Sequence, residues 1–285
     1  MKAEMMREIS NTAWAIQPQA LTRFMAAINA GIEARDESSA IQSQKGGNVG
    51  IINVSGVIMP KETMWSRYLG VATCEGLSRA LKTFANDESV SVIVLNMDTP
   101  GGSVAGVDEL TEQVRALQGI KKVVAVSNSL MASAGYYIAS AADEIVATPS
   151  SETGSIGVFT THFNYSKMLD EAGLDITLIQ AGEYKTEGNP YQPLSDEAKS
   201  YIQSVVDQYY NQFINSVAKG RGIKPAAVRD NYGKGRVFTA KDALAAGMVD
   251  RIETMDQVIS RLTSSKRAQS PRRRMQAEVR LLEVS

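Results

Sequence analysis

The sequence predicts an α/β fold built on a parallel sheet, and two observations carry that prediction. Short β-branched or aliphatic runs recur at residues 49–54, 90–97, 123–126, 144–147 and 176–179, a pattern of strands buried on both faces. Between several of them lie helical patterns: Val104, Val107, Leu110, Val114 and Leu117 recur at steps of three and four and turn one apolar stripe toward a core. Strands alternating with such helices form parallel βα units, with helices flanking the sheet.

Each further element follows from local signals. Residues 18–34 carry a helical pattern, and the polar run 35–47, rich in Ser, Gln and Gly, reads as a linker. Residues 195–219 open with Ser-Asp-Glu and continue through Tyr201, Val205, Tyr209, Phe213 and Val217 at steps of four, which predicts one long capped helix. Residues 263–274 have the Ser/Lys/Arg/Pro composition of a connector, followed by a short amphipathic end. The expected organisation is an N-terminal helical segment and linker over 1–47, a main domain over 48–262 and a basic flexible tail over 263–285.

A chain of 285 residues, 44% hydrophobic and 21% charged, is long enough for a sizeable core and is globular in composition. One cysteine, Cys74, and one histidine, His162, exclude an intrachain disulfide and a Cys/His zinc site. Any histidine-dependent triad would have to use His162. The net charge is −1; six basic and two acidic residues give the last twenty a charge of +4, so the body carries −5. A general nucleic-acid surface is therefore not expected, and polyanion contact is confined to the tail. No apolar stretch follows Met1-Lys2-Ala3-Glu4, so no secretory signal is expected and the cytoplasm is the default location. Residues 123–142 run uncharged for the length of a membrane span. Ser127, Asn128, Ser129, Ser133 and Ser140 interrupt them, and the change from β-branched to alanine-rich composition predicts strand, turn and helix instead.

Two segments carry chemistry. Leu95 to Val104 leaves an apolar strand, turns through Thr99-Pro100-Gly101-Gly102 and enters a helix, exposing backbone amides of the kind an oxyanion hole needs. Leu130 to Tyr137 again follows a strand and opens a helix, with Ser133 flanked by the small residues Ala132 and Ala134. A nucleophile there would lie near both sets of amides.

Together these segments resemble the Clp/crotonase superfamily, in particular the S49 peptidases, the signal peptide peptidase A family with its phage head-protease relatives. The resemblance continues in order through Thr153-Gly154-Ser155-Ile156-Gly157, Gly182-Glu183-Tyr184-Lys185-Thr186, Pro193 to Glu197, and 235–250, spanning residues 49–252. It implies a fold of repeated ββα units with parallel sheet layers, Ser133 as nucleophile, Lys185 as general base, Ser155 as the hydrogen-bond partner of that lysine, and the amides of Gly101, Gly102 and Ala134 as the oxyanion hole. Thr99 stands where serine is commoner, a change of little weight if the loop acts through its backbone. An ordinary lysine titrates near ~10.4 and a useful base near ~7–8, so such chemistry calls for a desolvated lysine. The family dyad can be completed by a neighbouring subunit, which implies a homo-oligomer with the 195–219 helix as a candidate interface.

The resemblance implies hydrolysis of protein substrates through an acyl-enzyme, with no metal or cofactor. Asn11 to Pro18, containing Trp14-Ala15-Ile16, resembles the start of phage head proteases, which points to scaffold or capsid proteins as substrates and to the host cytoplasm or prohead as location. The alternatives are a cytoplasmic signal-peptide-peptidase-like protease, a crotonase-fold acyl-CoA enzyme, and a catalytically idle scaffold protein. Other motifs weigh less. Ser216-Val217-Ala218-Lys219 matches a Ser-x-x-Lys pattern by chance inside a helix. His162 and Cys74 read as structural residues, 271–274 reads as solvated tail, and no nucleotide-binding glycine motif occurs.

Overall fold

The computed structural model describes residues 12–30, 40–63, 66, 69–232 and 234–264. The predicted tail beyond 264, and residues 31–39 of the predicted helix end and linker, lie outside the described residues.

The chain lays down ββα units. Strand β1 (Trp14–Ile16) and helix α1 (Pro18–Ala30) precede β2 (Ile41–Gly46). The first unit comprises β3 (Val49–Ser55), the short β4 (Ile58–Met59) and β5 (Ala72–Thr73), and α2 (Cys74–Asn86). The second comprises β6 (Val92–Thr99), β7 (Gly101–Ser103) and α3 (Val107–Ala116). The third begins with β8 (Lys122–Ala132) and α4 (Ala134–Ala139) and continues into β9 (Glu144–Ala147) and β10 (Glu152–Gly154). After α5 (Ser166–Glu171) come α6 (Asp196–Arg221), α7 (Pro225–Asn231), β11 (Val237–Thr239), α8 (Ala240–Ala245), β12 (Arg251–Ile252) and α9 (Met255–Ser264).

The long strands form one sheet in the order β11-β10-β8-β6-β3-β2, with β9 beside β8 and β12 beside β9; a second sheet has the order β1-β7-β4-β5. The pairs β3/β6, β6/β8, β8/β9 and β8/β10 are parallel. This is the α/β architecture of repeated ββα units that the sequence led us to expect. The central strands are apolar throughout because both faces are covered. Along β6, Ile93 and Leu95 turn into the main core with α2, α3 and α4, while Val92 and Val94 join Val124, Val146, Val258 and Leu262 under α9.

Strand β8 serves two neighbours on one edge: Val124 to Ser127 pair with β9, and Leu130 to Ala132 pair with β10. On its other edge the register with β6 shifts between Met97 and Thr99. The irregularity re-aims the end of β6 toward the end of β8, as bulges do.

Two expectations are corrected. Residues 41–46, read as linker, form β2, paired antiparallel with β3 from Ile41↔Val54 to Gly46↔Val49. Its side chains are mostly exposed, so an edge strand of Gln, Ser and Lys carries no apolar alternation to be read. Residues 176–179, read as a strand, have no ladder partner, and Ile179 is 95% exposed. The capped helix is present: Ser195 Oγ accepts from Ala198 N–H at 3.1 Å, and Gly222 ends the helix in the left-handed conformation. Only its second half packs on the core, through Phe213, Ile214, Val217 and Ala218; Tyr201 is exposed.

Candidate active site

The ends of β6, β8 and β10 converge. Ser133 follows β8 with φ 53° and ψ −117°, and Ser155 follows β10 with φ 54°. Among the described residues only these two serines and Lys234 are non-glycine residues with positive φ. Such backbone costs about 1–3 kcal/mol and persists only where its surroundings impose it. At Ser133 they do: its N–H donates to Gly154 O at 2.7 Å, its carbonyl accepts from Tyr137 N–H at 2.9 Å, and Ser155 N–H donates to Arg236 O at 2.7 Å. Since Gly154 pairs with Ala132 in register, Ser155 and Ser133 are the next residues of two adjacent strands.

The serine side chain has an unusual status. Ser133 is fully buried, and its Oγ has no hydrogen-bond partner. A buried hydroxyl left unpaired costs a further ~1–3 kcal/mol. The helix behind it is anchored strongly enough to hold this. Tyr136 O–H donates to Met248 O at 2.9 Å, Tyr137 O–H donates to Asp108 Oδ1 at 2.7 Å, and the Tyr137 ring stacks on Phe213 at 4.5 Å. Burial raises the pKa of both tyrosines, and Asp108 adds to the effect at Tyr137, so both remain donors at neutral pH.

The glycine turn lies against the serine. Gly101 has φ +97°, and a Cβ placed on it would stand 2.8 Å from Ser133 Cβ and 3.0 Å from Ala134 N. A Cβ on Gly102 would meet Ile58 O at 1.8 Å, so the backbone of β4 approaches β7 as only glycine allows. Ala134 opens α4, where first-turn N–H groups lack intrahelical acceptors. Gly101 N–H donates to Thr99 Oγ1 at 3.1 Å, and Thr99 Oγ1 in turn donates to Gly56 O at 2.6 Å. The Thr99 hydroxyl thus ties the loop at both ends. A serine could make the same two bonds, which explains why threonine is admissible there, but the side chain matters more than the sequence reading allowed.

Lys185 lies elsewhere. It sits in a turn-rich exposed segment where its N–H donates to Gly182 O at 3.1 Å, and its side chain does not reach the unpartnered Ser133 Oγ. The open groove beside it, bounded by Glu183, Asn189, Pro193 and Glu197, includes none of Ser133, Ser155 and Gly101.

The discounted motifs are accounted for structurally. Lys219 pairs with Glu112 at 3.1 Å, and Ser216 Oγ accepts from Arg115 at 3.2 Å. A ring nitrogen of His162, Nε2, lies 3.1 Å from Asn189 O. The thiol of Cys74 is pushed up to about 12, chiefly by burial with Glu109 adding, which suits a packing residue. No group of metal-ligating side chains occurs among the described residues, and none of their helices is long and apolar enough to cross a membrane. What the sequence did not place at the site is β1. Trp14-Ala15-Ile16 stood out as a motif, but three residues carry no periodicity to show where they dock.

The family described as Peptidase family S49 matches residues 115–269. Capsid assembly protease C of Escherichia phage lambda is 32% identical over 254 residues, which cover 88% of this chain and 57% of that protein. Serine protease SPPA, chloroplastic, of Arabidopsis thaliana is 27% identical over 238 residues, covering 83% and 34%. The chain thus spans about half or less of the length of these relatives. Among solved structures, an enoyl-CoA hydratase/carnithine racemase from Magnetospirillum magneticum overlays with a TM-score of 0.47 at 15% identity, covering 88% of this chain and 82% of that one.

Proposed function

Because the chain belongs to peptidase family S49, we propose that it is a serine endopeptidase with a Ser133–Lys185 dyad. The observation that supports this reading best is Ser133 itself: buried, strained, its hydroxyl unpartnered, and set against the glycine turn. Ser133 Oγ bonds to the substrate carbonyl carbon while Lys185 Nζ takes its proton. The carbonyl oxygen, now negative, is held by the N–H groups of Gly102 and Ala134, while Gly101, whose own N–H is engaged by Thr99 Oγ1, shapes the turn that presents them. Collapse of that intermediate breaks the C–N bond, and the lysine ammonium returns the proton to the departing amine. Water then attacks the acyl ester, with the same lysine as base, and frees the carboxylic acid and Ser133. Ser155 accepts a hydrogen bond from the lysine and orients it. No metal or cofactor takes part.

Lys185 is exposed on an arm carrying exposed Leu174, Ile176 and Ile179. In this reading a neighbouring copy of the chain brings its lysine to Ser133, and the exposed half of α6 joins the interface. Residues 48–262 form the peptidase domain, flanked by the segments 1–47 and 263–285. The similarity to a capsid assembly protease supports scaffold or capsid proteins as substrates and the host cytoplasm or prohead as location.

Mass spectrometry of unstructured and capsid-type proteins incubated with the chain tests this. Ser133→Ala and Lys185→Ala should each lower cleavage at least ~10³-fold, on the scale of lost nucleophiles and bases. A mixture of the two inactive variants should recover cleavage, since one supplies the serine and the other the lysine. Cleavage at the unaltered rate by either variant rules out the dyad, and failure of the mixture to recover rules out its assembly between subunits.

A further inference from the structure

The strand that lies over Ser133 belongs to the chain itself. Strand β1 runs antiparallel to β7 in the register Trp14↔Ser103, Ala15↔Gly102, Ile16↔Gly101. Gln17 N–H donates to Pro100 O at 2.9 Å on one side of this pair, and Val104 N–H donates to Ala13 O at 3.0 Å on the other. Bonded pairs alternate in an antiparallel ladder, so Ala15 and Gly102 exchange the bonds between them. The Gly102 N–H is therefore directed at Ala15 O. The second edge of β1 is also satisfied: Trp14 N–H donates to Phe159 O at 2.8 Å, and Phe159 N–H donates to Trp14 O at 3.0 Å.

The position of Ala15 O is set by its neighbours. The point where Gly101 would carry a Cβ is 2.2 Å from Ala15 O and 2.8 Å from Ser133 Cβ, so those two atoms are at most 5.0 Å apart. A backbone carbonyl of an extended segment thus lies beside the serine and opposite a glycine N–H, where a peptide substrate of the proposed reaction would present its own. The alternation of β1 completes the likeness: Trp14 and Ile16 pack with Leu21, Ile28, Val57 and Val71, while Ala15 turns to the main core.

We propose that residues 13–17 are a built-in occupant of the peptide groove: a strap that covers Ser133 and must leave before a substrate strand can pair with Gly101–Ser103. This rests on the reading of Ser133 as the nucleophile. A segment that replaces it meets the same two edges and the same two faces. The groove therefore takes an extended, uncharged stretch with a small residue where Ala15 now sits and large apolar residues on either side. The same feature makes the chain's own N-terminal segment a competitor of its substrates.

A thiol reporter tests the strap without relying on peptidase activity. In full-length protein carrying Ser133→Cys, iodoacetamide labelling at that position is followed by peptide mass spectrometry. Labelling should be slow in this parent and at least about tenfold faster once Trp14→Ala is added, because a lost buried aromatic eases local opening. Val258→Ala, which removes buried bulk under α9 on the far side of the sheet, should leave the rate near that of the parent. Fast labelling in the parent overturns the proposal, as does an equal rise with Val258→Ala or no rise in a folded Trp14→Ala protein. Should Trp14→Ala unfold the chain, amide exchange on the unaltered protein decides. Residues 14–16 and Gly102 must exchange faster than the amides of β6 and β8; equal protection makes β1 a permanent strand and overturns the strap. Cleavage by the chain with Ser133 intact separates the two readings. Labelling that accelerates without any cleavage preserves the strap and removes the peptidase, whereas cleavage with unchanged labelling does the reverse.

Discussion

The wall around Ser133 and the arm around Lys185 are built on opposite terms. In the wall, Thr99, Ser133, Ala134 and Tyr136 are wholly buried, and the main chain of Ser133 and Ser155 is fastened by bonds to the carbonyls of Gly154 and Arg236 and from the N–H of Tyr137. In the arm, Met168 is 58% exposed, Leu174 59% and Ile179 95%, and the local bonds are mostly short-range turns. Burial of the wall is explained within one chain. Much of the apolar surface of the arm gains nothing from this chain, at a cost of roughly 25 cal/mol for each Å² left in water. The contrast teaches that the two halves of the proposed dyad sit in different surroundings: one on a rigid buried scaffold, the other on an exposed arm with apolar side chains in water.

That comparison can be broken or sharpened by substitution. The largest effect is expected at Gly102→Ala, whose new Cβ would stand 1.8 Å from Ile58 O, a backbone atom that cannot turn aside. Loss of at least ~3 kcal/mol, or failure to fold, is expected in urea unfolding, above the ordinary range for overpacking. Gly135→Ala comes next. Its Cβ would meet Thr99 Cγ2 at 2.5 Å, which should cost about 1–3 kcal/mol. Thr99→Ser removes that methyl and keeps the hydroxyl, so the double variant should recover most of the loss; no recovery would show that the wall does not pack as described.

A smaller effect concerns acid. Burial alone would raise the Asp250 pKa, but Arg221 at 2.6 Å, the Ile145 N–H and the charge of Arg221 together hold it below the usual carboxylate range. A carboxyl whose pKa is lowered on folding stabilises the fold above its unfolded value of ~3.9 and loses that contribution as pH falls through the folded value. The Tm gap between wild type and Asp250→Asn should therefore be widest at neutral pH and close below about pH 4. A gap that is constant with pH would mean the carboxylate charge contributes nothing. The smallest effect on stability belongs to the arm: Ile179→Ser should change it by less than ~0.5 kcal/mol in the isolated chain, as exposed sites do. If the arm is covered by another copy, the same substitution lowers the mass seen in sedimentation.

How much of this was legible depended on whether a signal was local. The strand-turn-helix at Ser133 showed in the change from β-branched residues to alanine, and the cap of α6 showed in Ser195-Asp196-Glu197, because each is written in adjacent residues. Residues 176–179 looked like a strand by composition, yet a strand exists only with a ladder partner, and composition does not report one. Strand β2 failed in the opposite sense: its Gln, Ser and Lys residues look like linker, and its pairing with β3 depends on backbone groups common to every sequence. The glycine turn and Ser133 could be found from motif order, but the unpartnered hydroxyl and the carbonyl of Ala15 above it arise from segments more than a hundred residues apart.

Thr99 and Gly135 also set how this wall can change over generations. The threonine methyl occupies the space that any side chain at position 135 would need, while its hydroxyl holds Gly101 in place. Position 135 can gain a side chain without that clash only after position 99 has given up its methyl, and position 99 can lose its hydroxyl only by freeing the turn. Change at this wall is therefore channelled into an ordered route, threonine to serine first and glycine to alanine second, with the reverse order passing through a destabilised intermediate.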